Sequence, residues 1–316
     1  MSATPNPTGL AACCSQPAST AQLAQPSGVE DIEEQFLEAV QDRSATVRDL
    51  VEATVAENDA LHLAERQDEG ELAEERENFP RVSPDELTDR FVEWFRTVLE
   101  DEVLDPVPLE EIKAGEHWTG EFLRSGYLRA WQQATGRLQQ EGADVDAQEI
   151  EAIIQLPVPQ RQLRDLYRRA FSNLEDITDE MAQTVREELA DGLEAGENPR
   201  TMARRLDEKL ESETRSRLNT LARTEVINSH TEATLDRYER AGADTVRHGE
   251  WADAGDDDVC PICSSLDGRE YTIDEMRSGT FEFEPGSDDP DYLAGEYPIR
   301  PPAHPNCRCT IQPVIT

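Results

Sequence analysis

Lysine is nearly missing from this chain. Only Lys113 and Lys209 occur in 316 residues, and the other 28 of its 30 basic residues are arginine. Against them stand 68 aspartates and glutamates, for a formal net charge of −38. Gripping phosphate needs cationic patches, and salt weakens even those, so the charge argues against a general affinity for nucleic acid. Any DNA contact must be local and arginine-based. A charge this large also repels itself in dilute buffer and destabilises the compact state. At about 1 M salt the screening length falls to roughly 3 Å, and surface carboxylates then barely feel one another. The composition therefore points to a cytoplasm at molar salt. Acidic tails on an ordinary protein would give the same total, but here acids run through every amphipathic segment.

Long apolar runs are missing too. No window approaches the roughly 18 consecutive apolar residues of a membrane span, and the N-terminus lacks the basic region and apolar core of a secretory signal. Leu10-Ala11-Ala12-Cys13 has the form of a lipoprotein cleavage box but no apolar stretch before it. Neither a nucleophile–base pair nor a phosphate-cradling loop is visible. The expectation is a protein that is not an enzyme, has no small-molecule substrate and makes no membrane contact.

What is present is mostly helical pattern. Residues 1–28 are rich in Ser, Thr, Pro, Ala and Gln and read as a disordered arm holding Cys13 and Cys14. Residues 29–80 read as an acidic helical segment, one helix or a pair, with a thin stripe of Phe36, Val40, Val47 and Val51. Residues 81–157 form a helical region. In it, Ser83-Pro84-Asp85-Glu86 is a helix start with Ser83 as cap, Pro84 at the first position and Glu86 completing a capping box. Leu87, Phe91, Trp94, Phe95 and Val98 form its apolar face, and a further helix is expected over about 109–140. Pro157 and Pro159 interrupt, and helix resumes near Gln160. Met181, Val185, Leu189 and Leu193 recur every fourth residue up to a stop at Gly196, and Asn198-Pro199 starts a short helix through Leu206. A long helix follows over about 213–240. After Gly242 the periodicity ends, and turn residues and the four remaining cysteines gather. The predicted fold class is mainly α, with long helices followed by a small C-terminal α+β unit stapled by cysteines and metal.

That unit carries the strongest chemical signal. Cys260-Pro261-Ile262-Cys263 is a CxxC knuckle, and His304-Pro305-Asn306-Cys307-Arg308-Cys309 offers three more donors. A structural zinc wants four thiolate or imidazole ligands in a tetrahedron. Cys260, Cys263, His304, Cys307 and Cys309 are five candidates for four places, and spacing does not choose among them. Cys307 and Cys309 point the same way if their stretch is extended. A redox CxxC would open a helix in a thioredoxin-like unit, which is not visible, and a cytosolic location argues against two disulfides. His248-Gly249-Glu250 ahead of the knuckle echoes a zinc deaminase signature. The proline, however, falls after the first cysteine, and too few residues separate the two parts.

A second feature is polar. Leu218, Leu221, Glu225, Asn228, Glu232 and Leu235 share one helical stripe. Buried polar groups there need partners, since an unsatisfied one costs about 1–3 kcal/mol. Arg223 or Arg237 could supply them. The stripe reads as a buried network or as a site positioning the C-terminal unit.

Three segments together resemble the phage head morphogenesis family, the Mu F-like minor head proteins. They are Gly196-Glu197-Asn198-Pro199 with Ala203-Arg204-Arg205-Leu206; Ala222-Arg223-Thr224-Glu225 with Asn228; and Trp251, Asp258-Val259-Cys260-Pro261-Ile262-Cys263, Leu266-Asp267-Gly268 and Pro301-Pro302-Ala303-His304-Pro305-Asn306-Cys307-Arg308-Cys309. The likeness covers about residues 160–316, with a Mu F-like domain drawn at 158–316 and its Cys/His cluster at 251–312. The long acidic insert between the cysteine segments departs from shorter family members. The resemblance implies a minor capsid protein of a tailed virus or provirus, here of haloarchaeal type. It would work with portal and capsid proteins in head assembly, with links to DNA packaging or ejection, and would be found in the virion or procapsid and in the host cytoplasm during assembly. Two other readings compete: a zinc-finger nucleic-acid binder, opposed by the net charge and the wide ligand spacing, and an enzyme or effector domain fused to a viral helical body.

Overall fold

The computed structural model describes residues 26–61, 83–147, 149–287 and 289–316. The expected arm up to residue 25, with Cys13 and Cys14, and the part of the acidic segment over 62–80 lie outside them.

Seven α-helices precede the strands among the described residues: α1 Glu30–Glu52, α2 Pro84–Leu99, α3 Leu109–Ala114, α4 Gly120–Gln140, α5 Ile150–Ile154, α6 Pro157–Ala195 and α7 Pro199–Ala241. Then follow β1 Val246–Ala252, α8 Pro261–Leu266, β2 Glu270–Tyr271, α9 Ile273–Ser278, β3 Thr280–Phe283, β4 Gly295–Pro298 and β5 Thr310–Ile315. The chain is thus mainly α with a small C-terminal α+β part. No described helix is long and apolar enough to cross a membrane.

Local chemistry explains most boundaries. Ser83 caps α2 by accepting from the Glu86 amide at 3.2 Å. Glu86 does not complete the box; its carboxylate takes Arg90 one turn on at 2.8 Å. The face of α2 is turned slightly from expectation, with Val92 and Leu99 buried where Trp94 and Val98 are only half-buried. The helix expected over 109–140 is two helices, because Gly115 ends α3 in the left-handed region with φ 77°. A side chain there would also meet the Tyr167 ring at 2.6 Å, so only glycine fits. Pro157 and Pro159 do not interrupt; they sit in the first turn of α6, where missing amides leave no bond unmade. Gly196 ends α6 at φ 66°, and Asn198 caps α7 by accepting from the Thr201 amide at 2.9 Å. The short and long helices expected after Pro199 are one helix of 43 residues, since no Gly or Pro lies between Leu206 and Glu213 to break it.

The described residues fall into two compact units. One takes described parts of Glu38–Val107 and of Phe171–Leu218. Its described elements are all helical, and its buried stripes include Val40, Val47 and Val51 on α1 and Met181, Val185, Leu189 and Leu193 on α6. Arginines brace it: Arg48 to Asp207 at 2.6 Å, Arg205 to Glu188 at 2.6 Å and to Glu197 at 2.9 Å. Arg96 pairs with Asp179, and Arg186 with Asp89.

The other unit takes the stretch ending at Leu37, Pro108–Ala170 and Asn219–Thr316. Phe36 stacks on Phe122 with centroids 4.8 Å apart. Ala134 and Leu138 of α4, Leu235 and Tyr238 of α7, Val246, Met276 and Ile311 form one apolar cluster. The sheet is three-stranded in the order β2-β1-β5, antiparallel, with Trp251 opposite Ile311. The acidic insert contains α9, begun by a capping box of Thr272 and Glu275, and the antiparallel pair β3–β4, with Phe281 opposite Tyr297.

Candidate metal centre

The five donors come from two segments. Cys260 is the N-cap of α8, and its sulfur accepts from the Cys263 amide at 3.4 Å. That turn places the Cys263 thiol beside the Cys260 thiol. The second segment turns at His304–Asn306, with the Cys307 amide bonded to the His304 carbonyl at 3.2 Å. Asn306 takes the left-handed φ of 63° that this reversal needs. Beyond it the chain runs into β5, and Cys307 and Cys309 are buried while Arg308 between them is partly exposed.

The side chains meet. His304 Nε2 lies 3.0 Å from Cys260 Sγ and 3.1 Å from Cys263 Sγ. Cys263 Sγ lies 3.8 Å from Cys307 Sγ. Two overlapping triplets result, Cys260–Cys263–His304 and Cys263–Cys307–Cys309, each with its donor atoms within 4.8 Å of one another. Cys263 belongs to both. All five residues are at most 4% exposed, and the four cysteines are free thiols. His248 and Glu250 sit on β1, outside both triplets, so the deaminase-like arrangement is not formed.

These donors fit a soft tetrahedral ion. Two thiolates on an ion with bonds of about 2.3 Å stand about 3.8 Å apart, the separation of Cys263 and Cys307. His304 Nδ1 donates to the Pro305 carbonyl at 2.8 Å, which leaves Nε2, facing the sulfurs, as the nitrogen available to an ion. This is the outer hydrogen bond that fixes a ligating imidazole's tautomer. Without an ion, the cluster shares charge internally. Burial opposes a Cys307 thiolate, but hydrogen bonds from Cys263 and Cys309 and the His304 charge outweigh it and hold that thiol well below its usual range. Burial likewise opposes His304 protonation, but the Cys260 and Cys307 sulfurs lift it to about 9. Cys263 is pushed up, chiefly by its hydrogen bond to Cys260.

Around the donors lies a core of Trp251, Ile262, Leu266, Phe283, Leu293, Tyr297 and Ile299. The second segment is also seated on α7. Asn306 donates from its backbone to Thr224 Oγ1 at 3.2 Å and from its side chain to Thr220 Oγ1 at 3.0 Å. Arg300 donates to Asn228 Oδ1 at 3.2 Å and pairs with Glu232 at 2.8 Å. Thr220, Thr224, Asn228 and Glu232 recur every fourth residue, so one face of α7 holds the whole segment. Glu225, 2% exposed, takes Arg169 of α6 at 2.7 Å. The partners suggested from sequence, Arg223 and Arg237, go elsewhere: Arg223 to Glu33 at 3.5 Å and Arg237 to Thr135 at 2.7 Å. Asp236 completes the row with Arg277 at 2.6 Å; burial raises its carboxyl despite that guanidinium and the Tyr127 hydroxyl. Sequence reasoning missed Arg169, Arg277 and Arg300 because each arrives from a segment with no register relation to α7.

Residues 183–312 match the family model described as Phage Mu protein F like protein. The matched stretch holds all five donors and the threonines that seat Asn306, and it supports the phage head morphogenesis family. No curated protein and no solved structure matches the chain.

Proposed function

Proceeding from that match, we propose that the chain is a minor head protein of a tailed virus or provirus, working at the portal vertex with portal and capsid proteins during head assembly. The observation that carries the reading is the coincidence of the family match over 183–312 with a buried donor cluster inside it. The cluster's role is structural: one zinc ion clips the knuckle to the His304–Cys309 segment and thereby fixes a loop-rich unit. No residue is assigned a catalytic part. The protein works in the procapsid or virion, after assembly in the host cytoplasm, and any DNA contact in packaging or ejection is local. The haloarchaeal setting rests on the net charge of −38 and the near-absence of lysine.

Quantitative mass spectrometry of purified heads tests the main reading. A few copies per portal ring are expected; absence from both immature and mature heads would overturn it and raise the nucleic-acid and effector readings. The salt setting has its own test. Thermal unfolding should shift upward as sodium or potassium chloride rises from 0.1 M to above 2 M, and a flat or falling midpoint would contradict it.

A further inference from the structure

Arg308 stands between two candidate ligands and takes no place among the donors. Its guanidinium reaches back to Asp256, four residues before Cys260, in a two-pronged pair. Nη2 donates to Oδ1 at 2.7 Å, and Nη1 donates to Oδ2. The two side chains are only 16% and 18% exposed. Asp256 is itself part of the turn leading into the knuckle: Oδ1 also accepts from the Asp258 amide at 3.1 Å, and its carbonyl accepts from the Val259 amide at 3.3 Å. One ion pair therefore ties the turn that delivers Cys260 and Cys263 to the stretch that delivers Cys307 and Cys309.

We infer that Arg308 and Asp256 are positioning residues for the metal centre, holding its two ligand-bearing segments at binding distance before an ion arrives. The inference rests on the zinc-clip reading above. A bidentate fork suits this task because it fixes direction as well as distance, and a partly buried pair keeps its strength in salt better than an exposed one.

Charge alone would act differently, and the difference has a sign. Starting from zero net charge, three cysteines and His304 that take up a divalent cation release three protons and end one unit more negative. A pure field effect would make Arg308 helpful and Asp256 harmful to binding. A positioning strut makes both helpful. Asp256→Asn separates the two, since it removes the negative charge and one prong together.

The experiment is chelator competition for Zn²⁺ on the full-length chain and on Asp256→Asn, Arg308→Lys and the exchange variant Asp256→Arg/Arg308→Asp. Bound Co²⁺ absorption provides a second readout of thiolate geometry, and far-UV circular dichroism confirms that the helices remain. Outer hydrogen-bond partners of metal ligands are worth about 10–100-fold in affinity. Asp256→Asn is expected to bind zinc at least about 10-fold more weakly. Arg308→Lys, which keeps the charge but loses the fork, should also weaken binding, and the exchange variant should recover part of the loss. Unchanged or tighter zinc binding in Asp256→Asn would overturn the inference and leave the clip intact. A wild-type chain that takes up neither Zn²⁺ nor Co²⁺ would overturn the clip itself.

Discussion

The helical unit of Glu38–Val107 and Phe171–Leu218 and the stretch from Trp251 to Gln312 solve the same problem with different means. The first has long periodic stripes: Val40, Val47, Val51, Met181, Val185, Leu189 and Leu193 are all buried. Its acids are answered by arginines along the helix surfaces. The second has short strands of two to seven residues and short helices of six. Such pieces leave much backbone outside regular ladders. There, four thiols and an imidazole converge at the centre, and a polar row on α7 receives the loop. Periodic burial suffices where elements are long. Where they are short, specific polar and metal-ligating contacts must carry more of the order.

The largest expected effect breaks that comparison at its weaker side. A tight chelator, or Cys263→Ala, which removes the donor shared by both triplets, should strip hydrogen-exchange protection from β1, α8 and β5 while α6 keeps its own from Phe171 onward. Structural zinc contributes about 10–16 kcal/mol of apparent binding energy to small metal-dependent folds, so protection there should fall by several orders of magnitude. Equal loss in α6 would contradict the division.

Acid provides a sharper probe. His230 of α7 is fully buried beside Gln133, and burial, helped by the Arg137 charge, lowers it to about 3. The folded protein keeps this ring neutral, while an unfolded chain protonates it below about 6.5. Its contribution is therefore complete above pH 6.5 and is lost as pH falls towards 3, with a slope of up to about 1.4 kcal/mol per pH unit. Denaturant titrations of wild type and His230→Gln across pH 7 to 4, with excess chelator present, should converge as pH falls. Parallel curves would show that His230 is not the group responsible.

In the helical unit the matching test is a cavity. Leu189 is fully buried, and Leu189→Ala should cost about 2–5 kcal/mol, with no change in zinc affinity. The smallest effect belongs to the surface pairs. Arg48→Ala removes the contacts to Asp207 and Glu211, yet should cost no more than about 1 kcal/mol and less in high salt. A loss of 3 kcal/mol there would mean that ion pairs, rather than apolar stripes, hold the unit.

The same contrast governs what the sequence made legible. Phe36, Val40, Val47 and Val51 were readable as one buried face because helical burial repeats locally, and the Gly196 stop and Asn198-Pro199 start were readable because caps are local chemistry. The break at Gly115 was hidden, since it depends on Tyr167 lying against that glycine. The five donors could be named from spacing, and the structure gathers all of them. Their order was not legible: that Cys263 is shared by both triplets, that Pro305 fixes the His304 tautomer and that Arg308 reaches Asp256 are all facts of three-dimensional approach. The partners of Glu225 and Asn228 were missed for the same reason, since Arg169 and Arg300 come from other elements.

The most direct test of the account is elemental analysis of the natively purified chain, combined with counting of its reactive thiols before and after unfolding. Close to one zinc per chain is expected, with Cys260, Cys263, Cys307 and Cys309 protected until the metal is removed. A folded protein with no bound metal and all four of those thiols freely reactive would contradict it.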